Sequence, residues 1–308
     1  MNTTSTSPLH SAATTAAHER ALVLGGGGST GNAWLIGVVA GLYDAGLDVT
    51  TADLTVGTSA GSTAAAQLGG STPPELFSAT VAAVPQQRGP VGPDRLRNPG
   101  RPVVDQLERM RKIIASSDSA ADMRRRMGAA ALDLDAASDG SWQAQWRTTV
   151  ASRLPSQHWP QRAVLITAVD AATGESAVFD RHSGVDLADA IAASCSSGLP
   201  FRIGDDWYID GGYRRNENAD LAAGSERVLV LSPFGGRTMH PLDWGMQLAA
   251  QVDELRAGGS RVETIFPRSE DEHLFGTSAM DLSMRPAAAR AGYEHGGDLA
   301  GQLAEFWR

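Results

Sequence analysis

Short, continuously apolar runs alternate along this chain with longer stretches of helical periodicity. Ala21-Leu22-Val23-Leu24 is apolar at every position, as a strand covered on both faces of a parallel sheet has to be. From Asn32 to Asp44 the apolar residues Trp34, Leu35, Val38, Val39 and Leu42 recur at three- and four-residue spacing, which predicts a helix. Asp53-Leu54-Thr55-Val56 predicts a second strand. The small-residue run from Ser59 to Leu68 predicts a helix able to pack closely on a sheet. Strand, loop, helix, strand, turn, helix is the grammar of a βαβ unit.

The same grammar returns after residue 160. Ala163 to Val169 reads as a buried strand, with Ser176 to Phe179 as its hairpin partner across Ala172-Thr173-Gly174-Glu175. Leu187 to Ala193 predicts a helix, and Trp207-Tyr208-Ile209 an apolar run leading into Asp210. Val228–Leu231 and Val262–Phe266 predict two further strands around a helix from Asp243 to Arg256, and helical residues close the chain. Between the two halves, a Pro- and Gly-rich loop from Pro85 to Pro102 breaks the pattern. Helical segments up to about Arg153 follow it, with Trp142 and Trp146 one turn apart. There is no internal repeat. The expectation is one α/β domain over residues 19–308, with a mostly parallel central sheet flanked by helices and a helical insertion near 85–155. Residues 1–18, rich in Thr, Ser and Ala, are expected to be a disordered tail.

Composition narrows the class. The chain has 308 residues, 42% hydrophobic and 20% charged, which suits a globular domain with a large core. One cysteine, Cys195, excludes an intramolecular disulfide framework and a Cys-cluster zinc site and suits a reducing compartment. The net charge of −9 argues against nucleic acid as a partner. Neither a signal-peptide core nor a run of the ~20 apolar residues needed to span a bilayer is present. A cytoplasmic protein is therefore expected. Charge is uneven, however: Arg88 to Arg126 holds ten basic and five acidic residues. That segment is the candidate for peripheral contact with an anionic membrane.

Three short motifs carry candidate chemistry. Gly57-Thr58-Ser59-Ala60-Gly61 frames a serine between small residues where a strand turns into a helix, the setting that exposes a nucleophilic hydroxyl; Ser59 or Thr58 could equally be an ordinary N-cap. Gly25 to Gly31 follows the first strand, and backbone N–H groups of Gly26, Gly27 and Gly28 could hold an oxyanion there. The same residues spell G-x-G-x-x-G through Gly26, Gly28 and Gly31. That leaves a phosphate-binding loop open, with Asp48 or Asp53 as a ribose partner. Asp210-Gly211-Gly212 offers a carboxylate base or simply a turn. None of the histidines (His10, His18, His158, His182, His240, His273, His295) sits in a recognisable motif. A triad with a late histidine, His240, His273 or His295, stays open. Cys195 has no charged neighbour in sequence and reads as a small buried residue.

Taken together and in this order, the three motifs resemble those of the patatin-like phospholipase family. Gly26-Gly27-Gly28-Ser29-Thr30-Gly31 is similar to its G-G-G-x-[RK]-G loop, Gly57–Gly61 to its G-x-S-x-G elbow, and Asp210-Gly211-Gly212 to its D-G-[GA] base. The stretch from Ala190 to Asn218 resembles the family's surroundings of the aspartate. The resemblance implies a three-layer fold and a lipid acyl hydrolase with a Ser59–Asp210 dyad and no histidine. It further implies an oxyanion hole at Gly26–Gly28, no cofactor and no metal, and a lipid or ester as substrate. Hydrolysis of soluble esters or thioesters, or nucleotide binding by the glycine loop, are the alternatives. Thr30 departs from the pattern, which has Arg or Lys there.

Overall fold

A computed structural model describes residues 18–83 and 101–308. The expected tail, His18 excepted, and the Pro85–Pro102 loop up to Gly100 lie outside the described residues. Eight strands form one mixed sheet: β1 (Arg20–Leu24), β2 (Leu54–Thr58), β3 (Ala163–Asp170), β4 (Ser176–Phe179), β5 (Phe201–Ile203), β6 (Asp206–Asp210), β7 (Arg227–Leu231) and β8 (Arg261–Ile265). They pair in the order β5-β6-β3-β2-β1-β7-β8, with β4 also on β3. The five strands from β3 to β8 along this path are parallel, and β4, β5 and β6 are antiparallel additions.

Helices cover both faces, as continuous apolar strands require. The described helices are α1 (Gly28–Asp44), α2 (Ala60–Leu68), α3 (Pro73–Ala82), α4 (Arg101–Ala115), α5 (Ala120–Ala136), α6 (Trp142–Ala151), α7 (Leu187–Ser194), α8 (Leu248–Ala257) and α9 (Arg285–Trp307). Side chains alternate across the sheet. Leu22 and Leu24 pack with α1, α2, α7 and α9, while Ala21 and Val23 face α8 with Val252 and Leu255. A third apolar cluster joins α4 and α5 to Val169 and Ile209, over the antiparallel end of the sheet. This is the expected three-layer α/β arrangement, and α4–α6 are its helical insertion. None of the described helices is long and apolar enough to cross a membrane.

Three boundaries differ from the sequence pattern, each for a tertiary reason. Helix α1 starts at Gly28 and not at Asn32, because the Thr30 N–H is engaged by the Ala279 carbonyl and the loop is already helical there. Helix α8 starts at Leu248 rather than Asp243; a short 3₁₀ turn at Leu242–Trp244 ends at Gly245, whose φ of 64° no continuing helix could hold. The β5–β6 hairpin, turning at Gly204, has a first strand of three residues, too short to show periodicity.

Helices α1 and α9 run side by side in register. A Cβ on Gly37 would meet the Ala289 carbonyl at 2.1 Å, and one on Gly292 would meet the Trp34 carbonyl at 2.4 Å. Glycine thus permits backbone-to-backbone contact along the seam. The seam sets the first residue of α9 beside the first turn of α1.

In the basic segment, Arg125 and Arg126 pair with Asp122 at 3.3 and 2.8 Å, and Arg124 donates to the Gly174 carbonyl. Arg109, Arg111 and Lys112 on α4 are exposed.

Candidate active site

The sheet pairing brings two distant residues together. Thr167 of β3 pairs with Thr58 on one side and Val178 on the other, and the next residue, Ala168, pairs with Asp210 and Ala177. Strand β4 therefore lines one side of β3, and β2 and β6 meet end to end along the other. Ser59 leaves β2 where Asp210 ends β6. The Ser59 hydroxyl donates to Asp210 Oδ2 at 2.8 Å.

Ser59 sits at φ 51°, ψ −114°. Positive φ is unusual for a residue with a side chain, and strain of this kind persists only where the surroundings impose it. The imposing contacts are visible. A Cβ on Gly57 would lie 2.7 Å from the Ser62 Cα, and one on Gly61 only 1.9 Å from the Leu24 carbonyl oxygen. The elbow glycines are therefore steric requirements of the turn. The Ser59 side chain does not cap α2, which removes the N-cap alternative. Its N–H donates to Ser194 Oγ at 2.9 Å, and its carbonyl accepts from Ser62 Oγ and the Cys195 thiol.

Asp210 is buried, and burial raises its carboxyl to about 6, against hydrogen bonds from the Gly212 N–H and Ser59 that favour the anion. Gly211 lies against Thr167, where a Cβ would meet the hydroxyl at 2.3 Å. Gly212 donates its N–H to Asp210 Oδ1 at 2.8 Å. Each carboxylate oxygen thus has one donor, and Oδ2 is aimed at the serine. No histidine among the described residues hydrogen-bonds Ser59 or Asp210. His240 is held by Thr238, and burial lowers it to about 4. The His273 ring contacts the Glu270 carbonyl. Cys195, expected to be buried, is half-buried; its thiol is pushed up to about 11 by desolvation and by Asp210, so it remains protonated and donates to the Ser59 carbonyl.

The glycine loop leaves β1 level with the elbow, since Leu24 pairs with Gly57. Gly26, expected as an oxyanion donor, is already engaged: its N–H donates to the Asn216 carbonyl at 3.0 Å, and Asn216 Nδ2 returns a bond to the Gly26 carbonyl. Gly27 and Gly28 stand at the start of α1, and Ala60 at the start of α2. No intrahelical carbonyl reaches N–H groups at those positions, which leaves these three as candidate donors at the two helix starts flanking the elbow. Ala60 carries no side-chain chemistry, so the sequence pattern could not single it out. A Cβ on Gly27 would lie 2.5 Å from Pro233, and Gly28 has φ 64° with the Ala279 carbonyl 2.7 Å from such an atom. Gly31 packs on Pro233 in the same way, at 3.1 Å. The loop is wedged against Pro233 and Ala279. The ribose candidates are engaged as well: Asp53 accepts from the Glu19 and Arg20 N–H groups, and Asp48 caps a 3₁₀ turn. These contacts speak against the nucleotide alternative. Thr30 is fully buried and its hydroxyl has no partner.

Asn218 is the second non-glycine residue with positive φ among the described residues, at 53°. From there its buried Nδ2 lies within hydrogen-bond distance of Thr58 Oγ1, Thr167 Oγ1 and the carbonyls of Gly211 and Arg215. It joins the end of β2 and the middle of β3 to the turn after Asp210. Replacing it with alanine would leave buried polar groups unpaired, at about 1–3 kcal/mol each, and keep a Cβ in the left-handed region without the side-chain bonds that stabilise it. Asn218→Ala is expected to destabilise the fold by at least about 2 kcal/mol and to lower kcat, as chemical denaturation and ester hydrolysis would report. Unchanged values for both would remove Asn218 from the scaffold of the site.

A family model described as patatin-like phospholipase matches residues 22–223, a span that holds the glycine loop, Ser59 and Asp210. No curated protein matches the sequence. Among solved structures, VipD from Legionella pneumophila is similar at 14% identity and a TM-score of 0.44, over 93% of this chain and 67% of that one. The type III effector protein ExoU is similar at 17% identity and a TM-score of 0.38. The match covers 93% of this chain, which spans about half of ExoU, 53% of its length.

Proposed function

The chain belongs to the patatin-like phospholipase family and is a lipid acyl hydrolase; from that premise we propose that it cleaves acyl esters of the phospholipase A or lysophospholipase type through a Ser59–Asp210 dyad. The observation that carries the reading is the 2.8 Å hydrogen bond from Ser59 Oγ to a buried carboxylate, made from a strained strand-to-helix turn.

In this mechanism Asp210 accepts the hydroxyl proton as Ser59 Oγ attacks the ester carbonyl. The carbonyl oxygen becomes an oxyanion opposite the N–H groups of Gly27, Gly28 and Ala60. Asp210 returns its proton to the departing alcohol, leaving an acyl-serine. Water then attacks the acyl-serine, with Asp210 again taking the proton and delivering it to Ser59 Oγ as the acyl bond breaks, and fatty acid and free Ser59 result. A carboxylate raised toward neutrality is a better proton acceptor than an ordinary one.

That same raised carboxyl sets a pH dependence. Asp210 works only when ionised, so kcat/KM is expected to fall as pH drops through about 6. A profile flat between pH 5 and 8 would exclude Asp210 as the base.

Hydrolysis of soluble esters or thioesters is the second reading, and one observation favours it. The slot between α4, α5 and the end of β6, lined by Arg109, Met110, Ile113, Met127, Ile209 and Tyr213, holds about 30 Å³, room for roughly one water-sized group. A larger cavity of about 310 Å³ lies against Glu19, Glu226 and Gly258, at the opposite end of the parallel strands from Ser59. Turnover of p-nitrophenyl esters and phospholipids of graded chain length separates the readings. Rates rising with chain length support the lipid reading, and rates confined to acetyl and butyryl esters support the second.

A further inference from the structure

Arg285, the first residue of α9, reaches the site from outside the region spanned by the family match, which ends at residue 223. Its guanidinium donates to the Ser29 carbonyl at 2.7 Å, to Ser29 Oγ at 3.3 Å and to Asn32 Oδ1 at 3.1 Å. Asn32 Nδ2 continues the chain of contacts to the Ala60 carbonyl at 3.4 Å and to Gln67 Oε1 at 3.0 Å. One side chain therefore links the first turn of α1 to the first turn of α2. Those two turns carry the free N–H groups of Gly27, Gly28 and Ala60.

The placement opposes ordinary electrostatics. The N-terminus of a helix is its positive end, and a cation there is unfavourable. No carboxylate among the described residues pairs with Arg285. Its charged neighbour is another arginine, Arg153; burial and this repulsion lower the guanidinium to about 10, so it stays protonated at neutral pH. Thr30 within the loop supplies no charge of its own. The hydrogen bonds of Arg285 all go to neutral acceptors, so the charge has no counter-ion among the described residues, and a local rule broken in this way points to a functional position. On the acyl-transfer reading, the oxyanion of the tetrahedral intermediate would supply that counter-charge.

We propose that Arg285 is a positioning residue for acyl transfer: it braces the oxyanion loop against the nucleophile helix and holds a positive potential ready for the tetrahedral intermediate. The proposal rests on the acyl-transfer reading of Ser59. Arg285 touches no substrate and acts through Ser29 and Asn32. Its contribution falls on the transition state, because the carbonyl oxygen carries full charge only there. Misaligned donors cost roughly 10²–10³ in kcat.

The test compares wild type with Arg285→Met, Arg285→Lys and Asn32→Ala. It reads kcat and KM on p-nitrophenyl butyrate, the inhibition constant of an alkyl trifluoromethyl ketone, and the melting temperature. Ser59 Oγ adds to such a ketone to give an oxyanionic hemiketal, so the inhibitor reports the oxyanion site directly. Arg285→Met is expected to lower kcat about 10²–10³-fold and weaken the ketone by a similar factor, with KM within about threefold. Arg285→Lys keeps the charge but not the fork that joins Ser29 to Asn32, so its loss should be intermediate. If Arg285→Met does not fold, the Lys and Asn32→Ala variants carry the test, each with a smaller loss in kcat and ketone affinity at unchanged KM. Active wild type together with kcat and ketone affinity within threefold in the folded variants would overturn the role of Arg285 alone. Losses that merely track the melting temperature, with KM and kcat moving together, would overturn it too. Wild type that neither turns over the ester nor binds the ketone would instead overturn the acyl-transfer reading beneath it.

Discussion

Ser59→Ala is expected to lower kcat by about 10⁵-fold or more, the scale on which serine hydrolases lose activity when the nucleophile is removed. Covalent labelling by a fluorophosphonate probe should disappear with it. The fold should remain, because alanine keeps the Cβ that already occupies the strained turn and the Ser59 N–H bond to Ser194 does not involve the side chain. The lost hydroxyl bond to Asp210 would cost about 1 kcal/mol. Without that donor the buried carboxyl would rise further. Mass spectrometry of the labelled protein decides the matter: a probe adduct that persists on another serine in the variant would reassign the nucleophile.

Asp210→Asn is expected to cost about 10⁴ in kcat or more. That is the loss seen when the orienting acid of a serine triad is made neutral, and here the carboxylate is the base itself. The same change has a distinctive effect on stability. Folding raises the Asp210 carboxyl from 3.8 to about 6, so the folded protein disfavours the anion and carries a penalty fully present above pH 6. The penalty fades as pH falls from about 6 towards 3.8, where the folded protein has already taken up the proton. Asparagine has no such penalty. Asp210→Asn should therefore be the more stable protein at pH 8, with the difference vanishing near pH 4. The gain should not exceed about 3 kcal/mol, since each tenfold change in proton affinity is worth ~1.4 kcal/mol. An inactive variant with this gain identifies a residue placed for function at the expense of stability. Equal activity in the two proteins would return the base assignment to a histidine.

Much of this was legible from local pattern. Runs such as Ala21–Leu24 and Val228–Leu231 are apolar at every position because both faces of the sheet are covered, and that burial leaves its mark residue by residue. The elbow was legible because Gly57 and Gly61 are small for steric reasons that act within a few residues of Ser59. What was not legible depends on contacts distant in sequence. The start of α1 at Gly28 is set by the Ala279 carbonyl. Gly26 looked equivalent to Gly27 and Gly28 in the glycine run, yet Asn216 engages its N–H. Asn218 stood at the end of a stretch that resembled the family, but its contacts did not show there, and Arg285 carries no motif at all, because it acts on atoms brought to it by the fold.

The sequence by itself determined the element types, the mostly parallel sheet and the identities of the candidate nucleophile and base. Hydrophobic period, glycine at steric pinch points and residue chemistry are local properties, and a linear chain displays them in order. Only the tertiary structure decided that Ser59 meets Asp210 across 151 positions, at 2.8 Å. It also decided that Asn216 engages the Gly26 N–H and that Arg285 bonds Ser29 and Asn32 in the first turn of α1. Those outcomes follow from β2 and β6 meeting end to end along β3 and from α9 lying against α1. Strand register and helix packing are sums over many weak long-range contacts, and no short stretch of sequence contains them.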